Sequence, residues 1–282
     1  MIVSNPPFGV TLASDTKAKI PNNYQLSSTA SSEELFIERC FQLLKPGGRL
    51  AIVVPESLLN TATSVDVRLF VYRTFWIRAI VSLPRNVFID TPTLTSLLFA
   101  QKKSSEEIAE WDEIWEKEQT KIEVKIKKVR SFLTKARRLS EEYTVKDIQS
   151  NIVKSLSPVV NEQTWIIKGG ASPEILDFSI PNSVKNVEDA VEYYRGMLKY
   201  AGFGSIVQNY IFDRIVSELD YEYPVFVVEE VGYKLSKRRE RARPNELCRF
   251  IGEETGRERP NLHLSPEPHR VEINTDNPKY VL

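Results

Sequence analysis

Apolar residues recur along the chain in two rhythms. The first is the short uninterrupted run: Ile2-Val3, Leu50 to Val54, Ile77 to Leu83, and Leu97 to Ala100. Runs of this length between turn residues predict strands, and Arg49 to Pro55 reads as one buried on both faces. The second rhythm is helical. Phe36, Ile37, Cys40, Phe41, Leu43 and Leu44 follow Ser32 and the acidic pair Glu33-Glu34, which suits a helix dipole, and Lys45-Pro46-Gly47-Gly48 stops the helix. Strand, loop, helix, glycine turn and strand make a βαβ unit, whose crossover should be right-handed. A second helix is predicted from Glu56 to about Phe75, then strands over 77–83 and 96–101 separated by the Pro84-Arg85-Asn86 turn.

Between the first strand and the first helix stands Ser4-Asn5-Pro6-Pro7-Phe8-Gly9. Each proline fixes φ and lacks an N–H, so the pair can neither extend a central strand nor enter a helix interior. The loop is frozen, and it offers one side-chain amide, two constrained carbonyls and an aromatic face. Taken alone, the tetrapeptide is equally a turn or a grip for a flat group bearing an amine. The polar segment from Val10 to Ser32 reads as a mobile stretch beside it.

These residues resemble the catalytic motif of amino-methyltransferases that methylate an exocyclic nitrogen of DNA, usually N6 of adenine, with S-adenosylmethionine. Glu34 to Cys40, Leu43 to Pro55 and Ile80 to Phe99 resemble the modification subunits of type I restriction-modification systems and their fused relatives, and the likeness covers about residues 2 to 101. It implies an α/β fold, the C-terminal half of a Rossmann-like methyltransferase sheet whose last two strands form an antiparallel edge, followed by a mostly helical region. It also implies roles: Asn5 and Pro6 accept the two amine protons, Pro7 holds the geometry, and Phe8 stacks on a base flipped from the duplex. The family's cofactor loop and acidic cofactor residues precede the motif, so S-adenosylmethionine is expected to be held upstream of Met1, by a separate methyltransferase polypeptide. Gly169-Gly170 and Gly202-Phe203-Gly204 read as turns rather than as substitutes for that loop. Double-stranded DNA and specificity and restriction subunits are the further partners implied.

The composition changes from Ser104. Ser104 and Glu107 stand in capping-box relation, and Ile108, Trp111, Trp115, Ile122, Ile126, Val129, Leu133 and Ala136 predict a long amphipathic helix or helical pair within 104–145. Residues 106–118 hold seven acids and one base, while 121–138 hold eight bases and one acid. Two readings stay open: a solvated helix packed by its apolar stripe on the catalytic core, or an arm that docks a partner subunit with its basic half near DNA phosphate. Residues 140–185 are poorly periodic, helices are predicted over 187–200 and 206–219, and Pro224 to Glu229 reads as a strand in a mostly helical region over 146–252. Lys237, Arg238, Arg239, Arg241 and Arg243 form a basic cluster that reads equally as a solvated turn or as a set of phosphate contacts. The segment 253–282 reads as an extended tail or linker.

Overall charge adds little, since 38 basic and 38 acidic residues cancel and any DNA-binding surface must be local. Cys40 and Cys248 lack metal-ligand spacing, which with two histidines leaves no familiar zinc site, and their scarcity suits a reducing cytoplasmic compartment. No run approaches the ~18 apolar residues of a spanning helix. The competing functional classes are a non-catalytic remnant or scaffold of a defence complex, and a methyltransferase for a non-DNA amine such as a protein glutamine.

Overall fold

The computed structural model describes residues 1–17, 19–20, 23–26, 31–61, 64–85, 87–88, 93–160, 163–167, 173–228, 231, 248–250, 258–260 and 269–270. In chain order its elements are β1 (Ile2–Ser4), α1 (Ser14–Lys17), α2 (Ser32–Leu43), β2 (Arg49–Pro55), α3 (Glu56–Asn60), α4 (Val65–Thr74), β3 (Phe75–Ser82), β4 (Thr95–Lys102) and α5 (Ser105–Arg138). After a 3-10 turn come α6 (Val145–Leu156), β5 (Gln163–Ile167), β6 (Pro173–Asp177), α7 (Val187–Met197), α8 (Ala201–Glu218), β7 (Pro224–Val227), β8 (Cys248–Phe250), β9 (Glu258–Pro260) and β10 (His269–Arg270). They form two units, one built from Met1–Ile108 with Glu222–Asn274, the other from Ala109–Tyr221.

The first unit is α/β. Its sheet has the order β1-β2-β4-β3-β7-β10, with β1 parallel to β2, β4 antiparallel to both β2 and β3, and β7 parallel to β3. The antiparallel pair β3–β4 expected from the sequence therefore forms, but inside the sheet rather than at its edge, because β7 adds to β3 from more than a hundred residues away.

Ladder partners share a face, so Leu50, Ile52 and Val54 lie with Ala100, Leu98 and Ser96, all buried. Phe41 of α2 stands edge-on to Phe70 of α4 and Phe75 of β3, with centroids 5.5 and 5.8 Å away, which sets both helices on this face. The other face carries Ala51, Val53, Leu97 and Phe99, all only part-buried, and its core of Val81, Leu83, Val228 and Val231 gathers towards the β3–β7 end. Thus β2 is sealed on one face and half-covered on the other, not buried equally on both. The helix expected from Glu56 to Phe75 is two helices: Thr61 ends α3, its N–H reaching the Ser57 carbonyl, and α4 starts at Val65.

The capping box at the head of α5 forms as the spacing predicts, the Ser104 N–H donating to Glu107 Oε2 at 2.7 Å and the Glu107 N–H to Ser104 Oγ at 3.2 Å. The helix is one continuous element of 34 residues. Its apolar stripe contributes to the core of the second unit: Trp111 meets Phe212 and Tyr221, with centroids 6.2 and 6.5 Å apart. Lys117 pairs with Glu218 of α8 and Arg137 with Glu192 of α7 at the rim.

Within 140–185 stand a helix and a hairpin that sequence reading passed over. Thr144 and Asp147 make a full capping box for α6, whose Ile148, Ile152 and Leu156 are fully buried, and β5 pairs antiparallel with β6. Gly202-Phe203-Gly204 lies inside α8 rather than in a turn, with Phe203 buried. Gly169-Gly170 lies outside the described residues. No described helix is long and apolar enough to cross a membrane.

Candidate active site

Because β3 and β7 run parallel to each other, and β3 and β2 are both antiparallel to β4, strands β1, β2, β3 and β7 all point the same way. Open α/β sheets bind ligands outside the carboxyl ends of such strands. Asn5 to Phe8 begin at that edge, one residue beyond the Ser4–Ile52 pair that ends the β1–β2 ladder.

Along the loop, exposure alternates. Asn5 is exposed, Pro6 buried, Pro7 exposed and Phe8 half-buried. The Asn5 amide and the Pro6 carbonyl make no hydrogen bond among the described residues, so both acceptors remain open. Phe8 leans on Phe88 of the β3–β4 connection, with centroids 6.1 Å apart and planes at 73°, the edge-to-face arrangement that aromatic quadrupoles favour. Phe88 was not singled out from the sequence. The signal that reveals it is topological, because β4 folds back along β3 and returns the connection to the edge where β1 ends.

The loop is anchored from behind by α2. Gly9 adopts φ +70°, a left-handed conformation that disfavours side chains even though a Cβ there would meet nothing within 4 Å. Its N–H donates to Glu33 Oε1 at 2.5 Å, and Ser31 and Ser32 hydroxyls donate to Glu33 Oε2 at 2.5 and 3.2 Å. Burial pushes the Glu33 carboxyl up, but the bonds from Ser31, Gly9, its own amide and Ser32 outweigh it and hold the group below its ordinary value. One turn on, Glu38 accepts the N–H groups of Gln25 and Leu26 at 2.7 and 2.8 Å, and Thr11 bridges Ser31. At these described points the 10–32 segment, expected to be mobile, is tied down to α2. Sequence reading took Glu33 for a helix-dipole partner, and missed its second task and that of Glu38.

On the next strand, Pro55 passes the chain directly into α3, and buried Arg68 of α4 closes that helix by donating to the Leu58 and Thr61 carbonyls at 2.9 and 2.7 Å. Burial lowers the Arg68 guanidinium to about 10, against the opposing pull of Tyr72 and Glu34. The described connections at the carboxyl edge contain no glycine-rich strand-to-helix loop that would cradle a nucleotide-like cofactor. Lys237, Arg238, Arg239, Arg241 and Arg243 lie outside the described residues.

Comparison with known proteins agrees with the motif. Type I restriction enzyme methylase subunits share 28% identity over 103 residues (EcoKI, Escherichia coli K12), 31% over 104 (EcoEI, Escherichia coli) and 26% over 109 (MpnII, Mycoplasma pneumoniae). Each match covers 36% of this chain but only 18%, 21% and 20% of the relative, so the chain spans about a fifth of the curated relatives it matches. Among solved structures, a modification subunit of a putative type I restriction enzyme from Vibrio vulnificus YJ016 aligns at a TM-score of 0.32 with 31% identity, over 36% of this chain and 22% of that one. Residues 1–163 of the 282 match the model of the N-6 DNA Methylase family. With more than half its length in that match, and the Asn-Pro-Pro-Phe loop at the carboxyl edge of its sheet, the chain belongs to the N-6 DNA methylase family.

Proposed function

We propose that this chain is the base-binding part of a DNA adenine-N6 methyltransferase of the type I modification class. The observation that carries the reading is the placement of Asn5 and Pro6: two open acceptors on a frozen loop at the sheet's carboxyl edge, beside an aromatic pair. An exocyclic adenine amine is a poor nucleophile because its lone pair is delocalised into the ring. The Asn5 side-chain oxygen and the Pro6 carbonyl would each take one of its protons in a hydrogen bond, pyramidalising the nitrogen and freeing the lone pair. Both bonds strengthen as positive charge builds on nitrogen, so they favour the transition state over the ground state. Phe8, steadied by Phe88, offers its face to a base extruded from the helix, and Pro7 with the Gly9–Glu33 tether keeps the acceptors in place.

S-adenosylmethionine would supply the electrophilic methyl group. The described residues do not fit it, since no glycine loop follows β1, β2 or β3. In this reading the donor is held by residues other than the described ones, and specificity and restriction subunits complete the assembly.

The test is transfer of tritiated methyl from S-adenosylmethionine to duplex DNA by this chain together with the polypeptide encoded immediately upstream. Asn5→Ala is expected to lower transfer by at least about 100-fold, the scale for losing one pre-oriented hydrogen-bonding group. Equal transfer by wild type and Asn5→Ala would sink the reading, and label entering protein rather than DNA would redirect it to a different amine.

A further inference from the structure

The second unit carries a charged surface that the chemistry above leaves unused. At 100° per residue, Lys127 and Arg138 lie almost in line on α5, with Lys128 and Lys135 on one side and Arg130 on the other. Ile122, Val129, Leu133 and Ala136, which are buried, occupy the opposite side of the helix. All five bases are exposed, and none of their side chains has a hydrogen bond or ion pair among the described residues. The other bases of this half are engaged: Lys121 with Glu118, Lys125 with the Ser157 carbonyl, and Arg137 with Glu192. Glu123 flanks the stripe at its start and Glu141 and Glu142 lie beyond its end.

We propose that this face of α5 is a contact for the sugar-phosphate backbone of duplex DNA. The proposal rests on the methyltransferase reading for its choice of polyanion, and on three features for its geometry. The chain is neutral overall, so five unpaired bases on one face are a local concentration of charge, not a share of a general excess. They are carried on a straight helix over eleven residues, roughly 16 Å, a distance along which duplex DNA presents about ten charges. The face is lysine-rich and lacks an aromatic or apolar centre, Val124 and Leu139 being its exposed large apolar residues at either end, whereas protein-binding patches deplete lysine and bury an apolar core. Flexible ammonium and guanidinium groups on a rigid rod suit phosphates, which fix register on the duplex without reading its sequence.

The experiment is a salt titration of binding to a fluorescein-labelled duplex of arbitrary sequence, followed by anisotropy, with the full-length chain. Its variant has Lys127, Lys128, Arg130, Lys135 and Arg138 all changed to Gln, a residue that keeps helix propensity, and circular dichroism checks that helix content is retained. Each phosphate contact adds about 0.9 to the magnitude of the slope of log K against log salt, so the variant's slope should be shallower by about 4.5. Between about 50 and about 200 mM salt, wild type should lose on the order of several-hundred-fold more affinity than the variant. Superimposable titrations, or no binding of DNA by the wild type, would overturn the inference. So would displacement of the duplex by poly-glutamate as readily as by unlabelled duplex at matched charge, which would assign the face to an acidic protein. Methyl transfer is read separately. Failure of the Asn5→Ala comparison with the slope difference intact removes the enzymatic reading alone.

Discussion

A carboxylate on a neighbouring helix, not the motif itself, fixes where the backbone of the Asn-Pro-Pro-Phe loop ends. Glu33 collects the Gly9 N–H and two serine hydroxyls, and its depressed titration means that the tether stabilises the loop fully above the ordinary value of 4.5 and is lost as pH falls through the lower folded value. Tritium transfer in the complete enzyme should therefore be insensitive to Glu33 protonation from pH 6 to 8, conditions well above about 4.5. Glu33→Gln keeps an acceptor but loses charge assistance, and is expected to lower transfer by about 10-fold at neutral pH with folding retained. A wild-type rate in that variant would show the tether to be dispensable. Phe88→Ala is the companion experiment. On the proposed function, removing an aromatic contact of about 1 kcal/mol should weaken base stacking by about 5-fold in KM while leaving the Asn5 and Pro6 acceptors in place. A fall in kcat with unchanged KM would place Phe88 elsewhere in the chemistry.

Among the elements, those whose periodicity and boundary residues agree were legible in the sequence. α2 had its apolar stripe and glycine stop and β2 its run between turns, and both formed within a residue or two of expectation, while α5, with its capping box and stripe, formed as one helix that ends at Arg138, short of the expected bound at 145. α6 had the same signals, a Thr144–Asp147 box and apolar residues at steps of four, but the surrounding prolines masked them. What periodicity does not carry is which strand lies beside which. The insertion of β4 between β2 and β3, and the arrival of β7, depend on long-range pairing, and so does the meeting of Phe8 with Phe88. The division of the Glu56–Phe75 stretch belongs here too. Arg68 holds the last carbonyls of α3 while its Nε and a second terminal nitrogen have no partner among the described residues, an arrangement that costs charge burial to shape one bend. Arg68→Ala should destabilise the first unit by about 2–4 kcal/mol, measured by denaturant unfolding, because it takes the side-chain donor from the Leu58 carbonyl, leaves that of Thr61 with the Ser64 N–H alone, and opens a cavity beside them. A change within ±0.5 kcal/mol would mean that the bend is set by local sequence alone.

On the scale of the whole molecule, the two units have separate cores, one around Ile52 and Leu98 and the other around Trp111, Ile148 and Leu133. Separate cores need not melt together. Trp111→Ala is expected to cost about 3–5 kcal/mol in the unfolding of the second unit, while Ile52→Ala should cost about 2–5 kcal/mol in that of the first. Calorimetry should show a different transition shifted by each substitution. Both mutations moving one common transition equally would show that the units unfold as one.

β1, the strand that leads into the Asn5–Phe8 loop, is three residues long, has β2 as its one neighbour among the described residues, and leaves Val3 72% exposed. Its outer rim of N–H and carbonyl groups is therefore available to another strand. Opening at such a margin needs little free energy, so the amides of Ile2 to Ser4 should exchange with deuterium well ahead of those of Leu50 to Ile52, which have strands on both sides. Any polypeptide that extends the sheet there would slow that exchange and, by mass action, make the order of the Asn5–Phe8 loop rise with its concentration. Dilution would then act as an off-switch: with such a strand supplied in trans, protection of the Ile2–Ser4 amides should fall as the mixture is diluted, and tethering the strand to the chain should abolish the fall.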